Sequence, residues 1–213
     1  MSAGDKTVLQ SVRPQYGVHY GLGWPFFSFE SQDFLSLGIR WFENQWDTLE
    51  GDRLPSHTGV VTGEDEVIEA QASGVVRASL KWRFDHQHTV IWFRRPRFYC
   101  AEMGGQLIWG ATQELGKHYN FAMIGAHALS GNLAGKAIDR LTRGWLSDKL
   151  TALADSKRAD ICSMVTGYAL ERSQMLMAML GSDPGALALP PRRLKPSDLD
   201  NDGRIFAPRN ATL

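Results

Sequence analysis

The chain has 213 residues, 43% of them hydrophobic and 22% charged, the balance of a folded globular protein able to bury a sizeable core. Lys plus Arg number 23 and Asp plus Glu number 23, so no basic excess steers the chain toward nucleic acid or an anionic membrane. Two cysteines, Cys100 and Cys162, are too few for a disulfide framework or a Cys-rich zinc site.

In chain order, residues 1–23 are polar and dotted with glycine, and Trp24–Phe29 reads as a short strand entering the core. From Asp33 to Leu49, Phe34, Leu37, Trp41, Trp46 and Leu49 recur at near-helical spacing, and Gly51-Asp52 ends the run. Three strands are predicted at Thr58–Thr62, Glu66–Gln71 and Thr89–Arg95, the first two joined through Gly63-Glu64-Asp65 as a hairpin. Pro96 stops the third, and a helix is predicted from Arg97 to Leu115, closed by Gly116. Residues 126–154 are rich in Ala, Leu and Gly at helical spacing. After a polar break at Ser156–Asp160, one amphipathic helix is predicted from Cys162 to Leu180, with Val165, Tyr168, Ala169, Leu176 and Met179 inward. Beyond Gly181, Pro184, Pro190, Pro191 and Pro196 predict an extended arm. The class is α+β: a small, mainly antiparallel sheet with helices packed against it.

The opening MSAGDKTVLQSVRPQ lacks the apolar core of a secretory signal, and no uncharged apolar run reaches about 18 residues. A cytoplasmic protein without a membrane span is expected, unless a specialised export route or a virion carries it out.

Cys162 is the first residue to test for chemistry. Asp160 is placed to cap the helix that follows, which puts the thiol in the first turn. Unsatisfied N–H groups and the helix dipole favour an anion there, lower a thiol's pKa and can hold an oxyanion. A buried cysteine acting as a small hydrophobe fits the same position. A thiolate needs a base and the base an orienter. His57 lies at the mouth of the first hairpin strand, and Glu69 follows within Val67-Ile68-Glu69-Ala70. With the turn centred on Glu64, residue 59 faces 69, and His57 and Glu69 become diagonal neighbours about 7–8 Å apart on one face. A one-residue slip would place them on opposite faces. Singly, Glu69 also reads as a solvated strand carboxylate and His57 as a strand-end histidine bonded to backbone.

The ordered set SHTGVV, VIEAQASGVV, VIWFRRP, GKHYN and DICSMVTGYAL resembles the circularly permuted NlpC-like cysteine hydrolases of the papain-fold superfamily, over about residues 24–180. The resemblance implies a permuted papain-like fold with Cys162 as nucleophile, His57 as general base and Glu69 orienting the imidazole. Tyr119, in Gly116-Lys117-His118-Tyr119, matches a tyrosine that lies near the nucleophile and supports the oxyanion. Two features depart from the family pattern: Asn120 stands where Asp is usual, and the stretch between Tyr119 and Cys162, with Trp145, is long. Cys100, in Phe98-Tyr99-Cys100-Ala101-Glu102, is a rival set aside on order, because the Gly-x-x-Tyr segment should precede the nucleophile.

The division expected is one catalytic domain over 1–183, carrying a helical insertion at 126–156, and a Pro-rich arm at 184–213. The activity implied is hydrolysis of an amide in a small peptide, peptidoglycan fragments first, through an acyl-enzyme and without a cofactor or metal. Two alternatives remain: a thioesterase or acyltransferase on the same triad, and a scaffold that docks a larger assembly through the arm. His86 and His88 read as a solvated loop, and His19, His118 and His127 join no constellation. Trp41, Trp46 and Trp109 read as core, while Trp82 and Trp92 alternate along strands. Asp198, Asp200, Asp202 and Gly203 match the start of a calcium loop, but Arg209 occupies the position that needs a bidentate acid.

Overall fold

The computed structural model describes residues 13–30, 55–85, 89–119, 159–181 and 185–207. Runs of β-branched and aromatic residues give five antiparallel strands: β1 (Pro25–Glu30), β2 (His57–Val61), β3 (Glu66–Gln71), β4 (Gly74–Ser79) and β5 (Thr89–Phe93). Their order is β4-β3-β2-β1-β5. A short parallel pair, β6 (His118–Tyr119) and β7 (Ala159–Asp160), lies apart from that sheet. The helices are α1 (Lys81–Asp85), α2 (Ala101–Thr112), α3 (Cys162–Glu171), α4 (Gln174–Leu180) and α5 (Pro196–Asp200), with a 3₁₀ turn at Pro191–Arg193. The protein is thus α+β, with an antiparallel sheet packed against helices.

Both faces of the sheet are covered, and period-2 alternation sorts the side chains between them. Val60, Ile68, Ala70 and Val75 pack with Met164, Val165 and Ala169 of α3. Thr58 joins that face, its hydroxyl donating to Phe26 O at 2.7 Å and lying 3.3 Å from Thr166 Oγ1. Phe26, Val61 and Val67 face the other way, with Tyr20, Leu80 and Ile91. α2 and α3 approach closely because Gly110 has no side chain: a Cβ there would lie 2.9 Å from Ala169 Cα. Burying the aliphatic and aromatic side chains of these layers is worth about 1.5–3 kcal/mol each, which is what holds the helices to the sheet.

Several sequence expectations are corrected. β4 was not foreseen; it pairs with β3 from Gln71↔Gly74 to Glu66↔Ser79. The predicted helix 97–115 is shorter, Ala101–Thr112, and Phe98 just before it has a φ of 59°. The helix predicted from Cys162 to Leu180 is two helices, broken where Ser173 Oγ accepts from Leu176 N and caps α4. Within that span Val165, Ala169 and Leu176 are buried, Tyr168 is half-buried, and Met179 is exposed. Trp109 is 56% exposed on α2, and Trp82 lies on α1, not on a strand. The described part of the expected arm does not project: Leu187, Leu194, Leu199, Ile205 and Phe206 are buried in the core with Phe27, Trp92 and Leu170. Pro96 and Phe206 form a bridge there. The segments 33–49 and 126–156, with Trp41, Trp46, His127 and Trp145, lie outside the described residues, as do Asn120, His86 and His88. Among the described residues no helix is long and apolar enough to cross a membrane.

Candidate active site

The hairpin register sets the first half of the site. Gly59 pairs with Glu69, Val60 with Ile68 and Val61 with Val67, which makes His57 and Glu69 diagonal neighbours. Their side chains meet: His57 Nε2 lies 2.9 Å from Glu69 Oε2. Gly59 is the residue between them, and its lack of a side chain is structural. A Cβ at that position would fall 2.6 Å from Phe26 Cε1, 2.6 Å from Ile68 O and 2.9 Å from Glu69 Cβ.

Glu69 is fully buried, so its charge has to be compensated locally. Arg83 Nη2 donates to both carboxylate oxygens, at 2.9 and 2.8 Å, and Gln71 Nε2 donates to Oε1 at 2.7 Å. Burial alone would raise the Glu69 pKa, but His57, Arg83 and Gln71 outweigh it and hold the carboxyl down at about 2. Glu69 is therefore a carboxylate throughout the physiological range.

The thiol comes from the opposite layer. Cys162 opens α3, which packs on β2 and β3, and the two layers meet at the end of the sheet where β2 begins. Burial disfavours charge on His57, but Glu69 and then the Cys162 sulfur, both by charge and by hydrogen bond, overcome it and push the imidazole pKa up to about 9. Nε2 is engaged by Glu69, which leaves Nδ1 as the ring nitrogen open to a second partner. The ring of Phe26, 5.8 Å from the imidazole between centroids, packs against its side.

Asp160 does not cap α3. Ile161 occupies the cap position in extended conformation, and its side chain makes no cap hydrogen bond. The first turn of a helix leaves backbone N–H groups without intrahelical partners, and in α3 that turn begins at Cys162, where an oxyanion would form. Tyr119 reaches this turn through the β6–β7 pair, where it is partnered with Asp160, and packs with Ile161 and Cys162. Its neighbour His118 is exposed.

Cys100 lies elsewhere. It precedes α2, packs against the main core and donates from its sulfur to Met175 Sδ at 3.6 Å. The calcium-like acids have other work. Asp198 accepts from Lys195 N, Asp200 from Trp92 Nε1 and Arg94, and Asp202 from Ala188 N and Arg204 N. Among the described residues no group of three or more His, Cys, Asp or Glu could hold a metal ion.

Sequence reasoning missed Arg83 and Gln71. Gln71 was within reach, since residue 71 shares a face with 69 in any strand. Arg83 gave no such signal, because its approach depends on the chain turning back through β4 and α1. Comparison with protein-family models, curated proteins and solved structures finds no match to this chain. The functional reading therefore rests on the residues themselves.

Proposed function

We propose that this protein is a cysteine hydrolase acting through Cys162, His57 and Glu69 on a permuted papain-like fold of the NlpC-like kind. One observation carries the reading: a single imidazole, bonded through Nε2 to a buried carboxylate, also lies within the influence of the thiol that opens α3. Thiol acyl transfer requires an imidazole that can take the thiol proton and later return one to the leaving group, which is the role open to His57. The Cys162 sulfur attacks the carbonyl carbon of an amide. The oxyanion settles on first-turn N–H groups of α3, with Tyr119 beside them. His57 gives its Nδ1 proton to the leaving amine, and a thioester to Cys162 remains. A water then loses a proton to Nδ1, attacks the thioester and releases the acid, and the sulfur leaves as thiolate. The resemblance directs the substrate to small peptides, with peptidoglycan fragments as the first to assay.

Iodoacetamide labelling tests the site. Wild-type and Cys100→Ala protein should be alkylated at residue 162, Cys162→Ala should lose that label, and His57→Ala should label at least tenfold more slowly as the thiolate partner is lost. Labelling that follows Cys100 overturns the assignment. A scaffold reading has one observation in its favour, the 1% exposure of Cys162. Complete protection of that thiol in the folded protein would favour the scaffold.

A further inference from the structure

We propose that Arg83 is a positioning residue of this site, which fixes the Glu69 carboxylate for His57 and offsets part of the charge that Glu69 presents to the imidazole. The inference rests on reading Cys162, His57 and Glu69 as one unit, and it adds a fourth member that neither the hairpin nor the nucleophile helix supplies.

The placement is specific. Arg83 is on α1, 4% exposed, and Nη2 bridges both oxygens of Glu69 at 2.9 and 2.8 Å. Nη1 extends the same guanidinium to Ser28 Oγ at 3.2 Å, on the strand that pairs Ser28 with His57. The plane lies over Trp82 at 4.5 Å and over Phe26 at 5.3 Å, and Phe26 is also the ring beside His57. Two rings, a hydroxyl and a carboxylate therefore hold one cation, and the carboxylate is left with little freedom to turn away from Nε2. Arg suits this position because its planar, delocalised charge stacks on rings and still donates in plane.

The chemistry gives the arrangement a purpose. An uncompensated carboxylate on Nε2 would stabilise the imidazolium so far that it became a poor proton donor to a leaving amine. A carboxylate already paired with a cation behaves closer to a neutral acceptor: it orients the ring while pulling less on its proton. Among the described residues, the charged or titratable groups facing His57 are Glu69 from β3, Cys162 from α3 and, through Glu69, Arg83 from α1. Tyr119 of β6 packs on Cys162, and the β1 neighbours Phe26 and Ser28 carry no charge.

The test compares Arg83→Gln, which keeps a donor but removes the charge, with Arg83→Lys, which keeps the charge but loses the plane. In the full chain, the His57 ring is titrated by nuclear magnetic resonance, with a thermal melt to establish folding. Arg83→Gln should move the His57 midpoint up by about one pH unit, the order expected for losing a charge one side chain away. Arg83→Lys should move it by less than half as much, while shifting the downfield Nε2–H proton resonance that reports the Glu69 bond. Equal midpoints in all three folded proteins, or equal displacement by Gln and Lys, overturns the proposal. If Arg83→Gln does not fold, an Nε2–H resonance in Arg83→Lys identical to the wild type overturns it equally. Because the readout is the His57 ring and not turnover, a failed hydrolase reading shows separately, as Cys162 alkylation that ignores His57→Ala.

Discussion

Two glutamates among the described residues, Glu69 and Glu114, are fully buried, and each is held by two basic side chains. Around Glu114 the partners are Lys117 and Arg172, both stacked against Tyr168, whose hydroxyl accepts from Arg192 Nε at 3.2 Å. Arg172 also donates to Gly110 O at 2.9 Å, so this cluster fastens α2, the turn before β6 and α3 to one another. Around Glu69 one of the partners is a histidine, and that histidine also meets a thiol. Burial and ion pairing are the same in both places; what differs is whether a group that can give and take a proton stands between the carboxylate and a thiol. A buried ion pair marks a site only when it is coupled to such a group.

Substituting the two glutamates separates these roles most sharply. Glu114→Gln should destabilise the fold by about 3 kcal/mol, because two cations lose their buried partner, while folded protein keeps its Cys162 alkylation rate. Glu69→Gln should slow thiol alkylation and hydrolysis by about 10²- to 10⁴-fold in the protein that remains folded, the scale seen when a triad carboxylate is lost. Denaturant melts paired with alkylation kinetics check both, and matched losses in the two variants would erase the distinction.

Gly59→Ala is a finer probe. The new methyl meets Phe26 Cε1 and Ile68 O at 2.6 Å and Glu69 Cβ at 2.9 Å, and the strand backbone cannot give way as a side chain would. The expected cost is about 1–3 kcal/mol by urea melt, with a fall in alkylation rate beyond what unfolding accounts for. A variant that loses stability alone would show that Glu69 can shift without losing His57.

The smallest effect is the pH dependence of stability. His57 binds its proton more tightly in the folded state, its pKa rising from 6.5 to about 9, so its contribution is complete below 6.5 and lost as pH rises through 9. Glu69 falls from 4.5 to about 2, so its contribution is complete above 4.5 and lost as pH falls toward 2. Both are fully present between pH 4.5 and 6.5. The melting-temperature difference between wild type and His57→Gln should be largest in that window and shrink by pH 9. The offset from Glu114→Gln should stay flat from there to pH 9, since Lys and Arg ordinarily hold their charge across it. A His57→Gln difference that did not vary with pH would break the contrast between the two carboxylates.

Local rules carried the sequence reading a long way. The turn at Gly63-Glu64-Asp65 pins the register, and a register fixes which side chains share a face, so the His57–Glu69 pair was legible before any tertiary contact was known. The start of α3 at Cys162 was legible too, although its cap was assigned to Asp160 and is not made by a side chain. A cap signal at Ser173 was available and overlooked, which is why one helix was expected where two exist.

What failed has a common physical cause. The proline-rich C-terminal stretch reads as an arm because proline breaks regular structure, yet its apolar residues are spaced to fill gaps between elements made elsewhere in the chain. Leu194 shows this: it is buried beside Gly167 of α3, and its carbonyl accepts from Ser163 Oγ at 2.7 Å. Trp109 shows the converse, an aromatic on a helical stripe that no described residue buries. The sequence by itself determined the α+β class, the hairpin and the presence of a thiol at a helix start, because these follow from periodicity and turn chemistry over a few residues. Only the tertiary structure decided that the thiol meets His57, that Arg83 clamps Glu69 and that Glu114 is a fastening and not a second site. Each depends on chain segments far apart in sequence being packed together, and no local pattern encodes that distance.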